Sequence, residues 1–246
     1  DQGHKPAQDF ARQQYARLPA TSDRVYVNSA LNLELFGRTH PRVSMFENAV
    51  DPAFLGTPRL PRPNPTLAYL GFVSERTDVT ILERLADHRA DWTIRVAAPD
   101  RDEARTMLAP LLRRPNVQWV RDLPAAGAPA FLRDADLCLM PHHDSPYSRS
   151  MSPLKLFQYL ASGLPVVSTP VAGVERFAAL LRVASGPEAF AAAVDAALAE
   201  DTVEAAGRRV AAMAGETWTS RVDAMLRPVL SDWYGPADVA VRAAKA

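Results

Sequence analysis

The sequence predicts an α/β fold built on a doubly wound parallel sheet, and three observations carry the prediction. Short apolar runs alternate with amphipathic stretches between residues 66 and 230, a rhythm typical of parallel strands joined by helices. Hydrophobic residues make up 48% of the 246-residue chain and charged residues 23%, the balance of a soluble protein with a sizeable core. The prolines at positions 58, 61, 63 and 65 indicate a linker before this region.

The region before the linker is predicted to contribute two strands. Residues 1–23 are polar with helical tendency, and residues 48–52 (NAVDP) indicate a turn. Strands are predicted at residues 24–28 and 42–46, with a helical stretch at residues 30–36 between them.

After the linker, strands and helices are predicted to alternate. Strands are predicted at residues 66–70, 92–98, 116–120, 136–140, 165–168 and 180–183, and helices at residues 78–88, 101–112, 129–134, 153–162, 186–199, 203–214 and 217–230. The first of these helices is predicted to be capped near Thr77. The loop at residues 141–152 exceeds the usual connection of about two to six residues, and long loops at this edge of a sheet often carry function.

The start of the helix at residues 153–162 has the pattern of an anion-binding site. Ser152 is predicted to cap the helix and Pro153 to occupy its first position, where no backbone donor is needed. Free N–H groups, the helix dipole and Lys155 then converge in the first turn. Gly163 is predicted to end the helix. Because a strand precedes it, the helix start is expected at the ligand-binding edge of the sheet.

Composition excludes several classes of partner. The 28 basic and 28 acidic residues cancel, so we expect no nucleic-acid partner. The single cysteine, Cys138, lies in an apolar run and is predicted to be a buried reduced thiol, which favours a cytoplasmic location. No apolar run approaches the roughly 18 residues of a membrane span. The chain opens at Asp1, and we expect it to continue a longer protein.

Residues 153–167 (PLKLFQYLASGLPVV) resemble the donor-site helix of GT-B glycosyltransferases of family 4 and related families. Three further segments follow the family pattern in order. Residues 24–51 resemble the end of the first domain and the interdomain turn, and residues 70–73 (LGFV) resemble the glycine-ended first strand of the donor domain. Residues 116–124 and 134–141 resemble the stretch beside the nucleobase. The resemblance covers residues 24–230.

The resemblance implies the Rossmann-like, donor-binding half of a glycosyltransferase. Residues 1–57 would be a remnant of the acceptor domain, residues 58–230 the nucleotide-sugar domain and residues 231–246 a tail. The implied reaction transfers a sugar from a nucleoside-diphosphate sugar to a glycan or lipid-linked acceptor in bacterial surface polysaccharide synthesis, without a metal cofactor. The acceptor domain and catalytic base would lie upstream, so this chain alone is expected not to transfer. A cytoplasmic location with peripheral contact at the inner membrane face is compatible with the resemblance.

The resemblance also implies roles for particular residues, each with a solvated or structural side chain as the alternative. The diphosphate would contact Lys155, Ser152 and Arg76; the ribose and sugar would contact Gln158, Ser150, Met151, His142 and His143; and the nucleobase would lie near Arg121, Asp122 and Leu123. The two histidines lack a third ligand at metal spacing. Residues 134–136 (DAD) imitate a metal motif, but they are expected at the opposite edge of the sheet. Trp92, Trp119 and Trp218 are expected to be core or interface anchors.

Two positions depart from the family pattern. Many family 4 enzymes carry two glutamates eight positions apart, where this chain has Ser150 and Gln158. The arrangement at residues 151–158 is similar to the xanthan glucuronosyltransferase, and a missing acid would suit a donor sugar that carries its own carboxylate. The alternatives are a non-catalytic nucleotide-binding fragment and a GT-B-like sugar-nucleotide epimerase. The nucleobase, donor sugar, acceptor, stereochemical outcome and oligomeric state stay open.

Overall fold

The computed structural model describes residues 5–234. Its contacts divide the chain into two compact units, Asp1–Glu47 and Asn48–Ala246, so residues 48–57 group with the second unit. Of the predicted tail, residues 235–246 lie outside the described residues, and residues 231–234 belong to the last helix. Within the described range, no helix combines the length and apolar character that a membrane crossing requires.

The first unit contains the two predicted strands, paired in parallel. Its elements are α1 (Lys5–Thr21), β1 (Val25–Val27), α2 (Ala30–Gly37) and β2 (Val43–Met45). Val25 pairs with Val43. Ser29 caps α2 by accepting a hydrogen bond from the Asn32 amide, a side-chain type suited to this position.

The second unit is a six-stranded parallel sheet, which confirms the predicted doubly wound fold. The strands are β3 (Thr66–Leu70), β4 (Thr93–Ala98), β5 (Val117–Arg121), β6 (Leu137–Met140), β7 (Val166–Ser168) and β8 (Arg182–Val183). Their order is β5-β4-β3-β6-β7-β8, and every neighbouring pair is parallel. The chain therefore runs outward from β3 in one direction and from β6 in the other. In such sheets, ligands bind at the carboxyl ends of the two central strands.

The helices agree with the predicted ones except at their ends. They are α3 (Val79–His88), α4 (Asp102–Leu108), α5 (Ala128–Arg133), α6 (Leu154–Ala161), α7 (Pro187–Ala199), α8 (Val203–Met213) and α9 (Trp218–Tyr234). Asp78 caps α3 by accepting from the Thr80 amide, so the cap expected near Thr77 lies one residue later. The helix expected at residues 101–112 stops at Leu108, since Pro110 cannot continue it, and a short 3₁₀ turn follows.

The core lies in two layers, one on each face of the sheet. Alternate residues of a strand point to opposite faces. Leu67 and Tyr69 of β3 therefore join the layer beneath α3 and α7, whereas Ala68 joins the layer with α5 and α6. Cys138 is fully buried in the second layer, as predicted. Trp92 is also buried, but Trp218 is 40% exposed and lies outside this core.

Asp136 holds the proline-rich linker against the sheet. Its buried carboxylate accepts hydrogen bonds from the side chains of Arg59 and Arg62 and from the Thr66 amide. Burial alone would raise the pKa of this carboxyl, but the hydrogen bonds from Arg62 and Arg59 outweigh burial and hold the pKa below its ordinary value. Asp136 is therefore structural, as the sequence indicated for the motif at residues 134–136.

Candidate functional site

A cleft of about 1030 Å³ opens at the carboxyl ends of the two central strands. Its floor includes Leu70 and Gly71, where β3 ends, and Ala97 and Ala98, where β4 ends. The loop after β6 and the start of α6 form another wall. Because the direction of the strand order reverses between β3 and β6, the cleft lies at the topological switch point of the sheet.

The start of α6 reaches the cleft in a way that the sequence did not predict. The helix begins at Leu154, and Pro153 is extended (φ −79°, ψ 99°) and lies just before it. Ser152 makes no cap hydrogen bond, because the helix begins one residue later than expected and Pro153 occupies the cap position. Asn48 Nδ2 donates to the carbonyl oxygen (2.7 Å) and to the hydroxyl (3.3 Å) of Ser152. The first backbone N–H groups of a helix have no partner within it. The Leu156 amide donates to the Pro153 carbonyl oxygen at 3.0 Å, so the amides of Leu154 and Lys155 are the ones available beside the cleft.

Lys155 presents an ammonium group to this cleft. Its Nζ lies 3.3 Å from the Tyr69 hydroxyl and 4.4 Å from the centroid of the Tyr69 ring. Gly71 makes room for it, since a Cβ there would lie 3.2 Å from Nζ, and the glycine has a positive φ of 137°. Between residues 5 and 234, no carboxylate lies within 4.0 Å of this ammonium. The cleft therefore contains a positive charge that the described protein does not neutralise.

Gln158 and Arg76 line the same cleft from two sides. Gln158 lies one turn after Lys155 on α6. The guanidinium of Arg76, from the loop after β3, lies 3.7 Å from the centroid of the Tyr147 ring. This cation–π contact joins the loop after β3 to the long loop after β6, and it places Arg76 at the rim of the cleft.

The region predicted beside the nucleobase is only partly in the cleft. Leu123 lines it, in an apolar wall completed by Ala97, Ala98, Pro99, Ala125, Ala126, Ala128 and Pro129. Arg121 instead stacks on Trp119, with 4.5 Å between the guanidinium and the ring centroid. The Asp122 carboxylate accepts from the Asp100 amide at 2.9 Å. Arg121 and Asp122 therefore make their contacts outside the cleft, and its apolar wall consists of Leu123 and small residues.

His142 lies at the base of the cleft and is almost completely buried, with 8% of its surface exposed. Its Nδ1 is 3.2 Å from the Arg76 carbonyl oxygen, and its amide donates to the Thr169 hydroxyl at 2.8 Å. Its Nε2 is buried and has no hydrogen-bond partner among residues 5–234. Burial, followed by the nearby charge of Lys155, lowers the pKa of His142 from 6.5 to about 4, so the imidazole is neutral at neutral pH.

The remaining predicted residues divide between the cleft and its surroundings. Met151 and Ser152 line the cleft. Ser150 donates its hydroxyl to the Tyr147 carbonyl at 3.1 Å and so bonds within its own loop. His143 lines a neighbouring cavity of about 730 Å³, with its Nδ1 3.6 Å from an Asp78 carboxylate oxygen. Within the described part of the chain, no group of three His, Cys, Asp or Glu side chains is suited to a metal ion.

Two aromatic residues that contact the cations of the cleft were missed by sequence reasoning. Tyr147 lines the cleft, whereas Tyr69 is fully buried beneath it. Tyr69 contacts Lys155 from beneath, and Tyr147 holds Arg76. Tyr69 lies two residues before Gly71 in an apolar strand, and this pattern predicts a core residue. The one available signal was its hydroxyl group, because a buried tyrosine hydroxyl usually has a hydrogen-bond partner.

The sequence of the chain is similar to those of glycosyltransferases. The sequence model of the family described as glycosyl transferases group 1 matches residues 65–200. TuaH of Bacillus subtilis (strain 168), a glycosyltransferase assigned to teichuronic acid biosynthesis, is 34% identical over 103 residues, which are 42% of this chain and 26% of TuaH.

Solved structures share the fold. HepE of Anabaena, in complex with UDP and glucose, matches with a TM-score of 0.68 at 15% identity, over 89% of this chain and 66% of HepE. The pneumococcal O-GlcNAc transferase GtfA, in complex with UDP and GlcNAc, matches with a TM-score of 0.66 at 14% identity, over 89% of this chain and 47% of GtfA. The chain thus spans about a quarter of TuaH and just under two thirds of HepE.

Proposed function

Because the chain belongs to the group 1 glycosyl transferases, we propose that its second unit binds the nucleoside-diphosphate sugar from which such an enzyme transfers a sugar. This unit is the Rossmann-like domain of a GT-B architecture. The observation that carries the proposal is the Lys155 ammonium, which lies without a carboxylate partner from the described chain in a cleft at the switch point of the sheet.

The start of α6 has the chemistry that a diphosphate requires. The free amides of Leu154 and Lys155 and the positive end of the helix dipole favour an anion. Lys155 adds a full charge from the same turn, and the neutral His142 adds none. During glycosyl transfer, negative charge accumulates on the leaving nucleoside diphosphate, and fixed donors aimed at that charge stabilise the transition state. We assign this role to Lys155 and the first-turn amides, with no metal ion.

The cleft also offers surfaces that match the ribose and the base of a nucleotide. Gln158 lies on the same face as Lys155 and can both donate to and accept from ribose hydroxyls. The wall that contains Leu123 offers apolar contact to a planar base. UDP is the first nucleotide to test, since HepE and GtfA are both solved in complex with UDP.

We place the acceptor and the catalytic base on a further domain of the complete protein, because the relatives are longer than this chain. The acceptor would be a glycan or a lipid-linked glycan of a surface polysaccharide, which the similarity to TuaH supports. A cytoplasmic location, with peripheral contact at the inner membrane face, belongs to the same proposal. Burial raises the pKa of the Cys138 thiol, and a buried, unreactive thiol fits a reducing compartment.

Calorimetric titration of the 246-residue chain with UDP in the presence of EDTA tests the proposal. Lys155→Ala should weaken UDP binding by about 1.5–3 kcal/mol, the range for a hydrogen bond to a charged group. The same change should leave uridine binding unaltered, because uridine has no phosphate. Arg113→Ala is the matched control, since Arg113 is an exposed cation that does not line the cleft.

Three results would contradict particular parts of the proposal. Failure of UDP, GDP and ADP to bind rejects the nucleotide site. Loss of binding on chelation rejects the metal-free site. Equal weakening of UDP and uridine by Lys155→Ala removes the contact between Lys155 and the diphosphate.

A further inference from the structure

Tyr69 is a fully buried residue of β3 whose hydroxyl lies among three polar groups. The Phe72 carbonyl oxygen is 2.6 Å away, the Thr77 hydroxyl 3.2 Å away and the Lys155 ammonium 3.3 Å away. Its neighbours in the core layer are apolar. The hydroxyl is thus the point where the floor of the cleft meets Lys155 and the loop after β3.

The shortest of these contacts assigns the proton of the hydroxyl. The Phe72 carbonyl oxygen can only accept, and at 2.6 Å it is the nearest partner of the phenol, so the single proton of Tyr69 goes to Phe72. The phenol oxygen is then left to accept, and the ammonium of Lys155, which has donors only, supplies one hydrogen bond. The ammonium also lies over the ring, 4.4 Å from its centroid, where the aromatic face attracts a cation.

We propose that Tyr69 is a positioning residue that fixes the Lys155 ammonium in the cleft before the diphosphate arrives. This inference rests on the proposed function. A free lysine side chain has many accessible rotamers, and a group that is already ordered loses less entropy on binding. One of the three donors of Lys155 points to Tyr69, and the other two remain for phosphate oxygens.

Tyr69→Phe removes the hydroxyl and keeps the ring. The Phe72 carbonyl keeps a donor, because the Thr77 hydroxyl is already 3.5 Å from it, so the fold should survive. Tyr159→Phe is the matched control: Tyr159 is equally buried, and its hydroxyl bonds the backbone of Leu70 at the end of the same strand. Thermal unfolding of both variants measures the cost of losing a buried hydroxyl.

Binding of UDP gives the first readout. Tyr69→Phe should raise the dissociation constant for UDP by about 3- to 10-fold, the effect of a net hydrogen bond, and leave uridine binding unchanged. Tyr159→Phe should change neither. In the Lys155→Ala background, Tyr69→Phe should cause no further loss, because a residue that acts through Lys155 has nothing left to position. The proposal is overturned if Tyr69→Phe weakens UDP and uridine binding equally. It is also overturned if Tyr69→Phe weakens UDP binding as much in the Lys155→Ala background as it does in the wild type.

A second readout needs no ligand. In the free protein, NMR order parameters of the Lys155 side chain should fall in Tyr69→Phe and stay unchanged in Tyr159→Phe. If they do not fall, Tyr69 does not position Lys155, whatever the affinity for UDP. If they fall but the wild-type chain binds no nucleoside diphosphate, the positioning stands and the proposed function is rejected.

Discussion

Replacement of His142 by asparagine should make the protein more resistant to acid. The wild-type imidazole is buried at the base of the cleft, and its pKa is lowered from 6.5 to about 4, first by burial and then by the charge of Lys155. Asparagine cannot titrate, and its side-chain amide can replace the Nδ1 donor that lies 3.2 Å from the Arg76 carbonyl. The variant therefore removes the ionisation and keeps the local hydrogen bond.

The direction of this pH dependence follows from proton binding to His142 in the folded and the unfolded states. Between pH 6.5 and pH 4 the unfolded chain protonates this imidazole and the folded chain does not, so the free energy of unfolding falls as the pH falls through this window. A pKa difference of about 2.5, at about 1.36 kcal/mol for each pKa unit, corresponds to about 3 kcal/mol in all. About 2 kcal/mol of this is lost between pH 7 and pH 5.

Urea unfolding at pH 7, 6 and 5 measures the difference. The stability of the wild type should fall by about 2 kcal/mol more than that of His142→Asn between pH 7 and pH 5. The carboxylates are shared by both proteins, so their titration cancels. His143→Asn, which replaces the exposed neighbour, serves as the control and should follow the wild type. Parallel pH profiles for the wild type and His142→Asn would refute the assignment of a buried, neutral imidazole.

Two further variants test the cleft and the linker. Gln158→Ala should weaken UDP binding, measured by calorimetry, by about 0.5–1.5 kcal/mol. The same variant should not change the binding of a 2′,3′-dideoxy nucleotide, which has no ribose hydroxyls. The control Gln118→Ala, at an exposed position of β5, should not change UDP binding. Asp136→Asn leaves Arg59 and Arg62 without their carboxylate. Removing one partner of a buried ion pair costs about 3–5 kcal/mol, and we expect a loss of unfolding free energy at or below the lower end of this range, measured in urea, because both arginines are partly exposed. An unchanged urea midpoint would show that the linker is not held through this contact.

The strands and the parallel sheet were predictable because their signals are local. Each buried strand is a short apolar run bounded by glycine, proline or polar residues, as at residues 66–70 and 166–168. Gly163, with a φ of 75°, ends α6 in the left-handed region that the sequence pattern indicated. Patterns of this kind depend on neighbours within a few residues and need no tertiary information.

The candidate site was predicted only in part, because its remaining features depend on contacts between distant residues. Ser152 does not form the expected cap, because α6 begins only after Pro153. The oxygen atoms of Ser152 accept hydrogen bonds from Asn48, 104 residues earlier in the chain. Ser150 was assigned from the family pattern, and in the structure its hydroxyl bonds within its own loop. His143 was expected beside the donor or the acceptor and lines the neighbouring cavity. The role of Tyr69 depends on a lysine 86 residues later, which no local pattern contains.

The departures from the family pattern bear on the charge of the donor. Where many relatives in the family are expected to carry glutamates, this chain has Gln158 in the cleft and Ser150 bonded to its own loop. The carboxylate that does line the cleft, Asp51, accepts a hydrogen bond from the Ala53 amide and so caps a 3₁₀ turn. In the proposed complex, Lys155 would therefore meet the nucleotide with little opposing negative charge. A donor sugar with its own carboxylate would be tolerated here, whereas paired glutamates would repel it, and this keeps the acidic-sugar donor as the hypothesis to test against a neutral hexose.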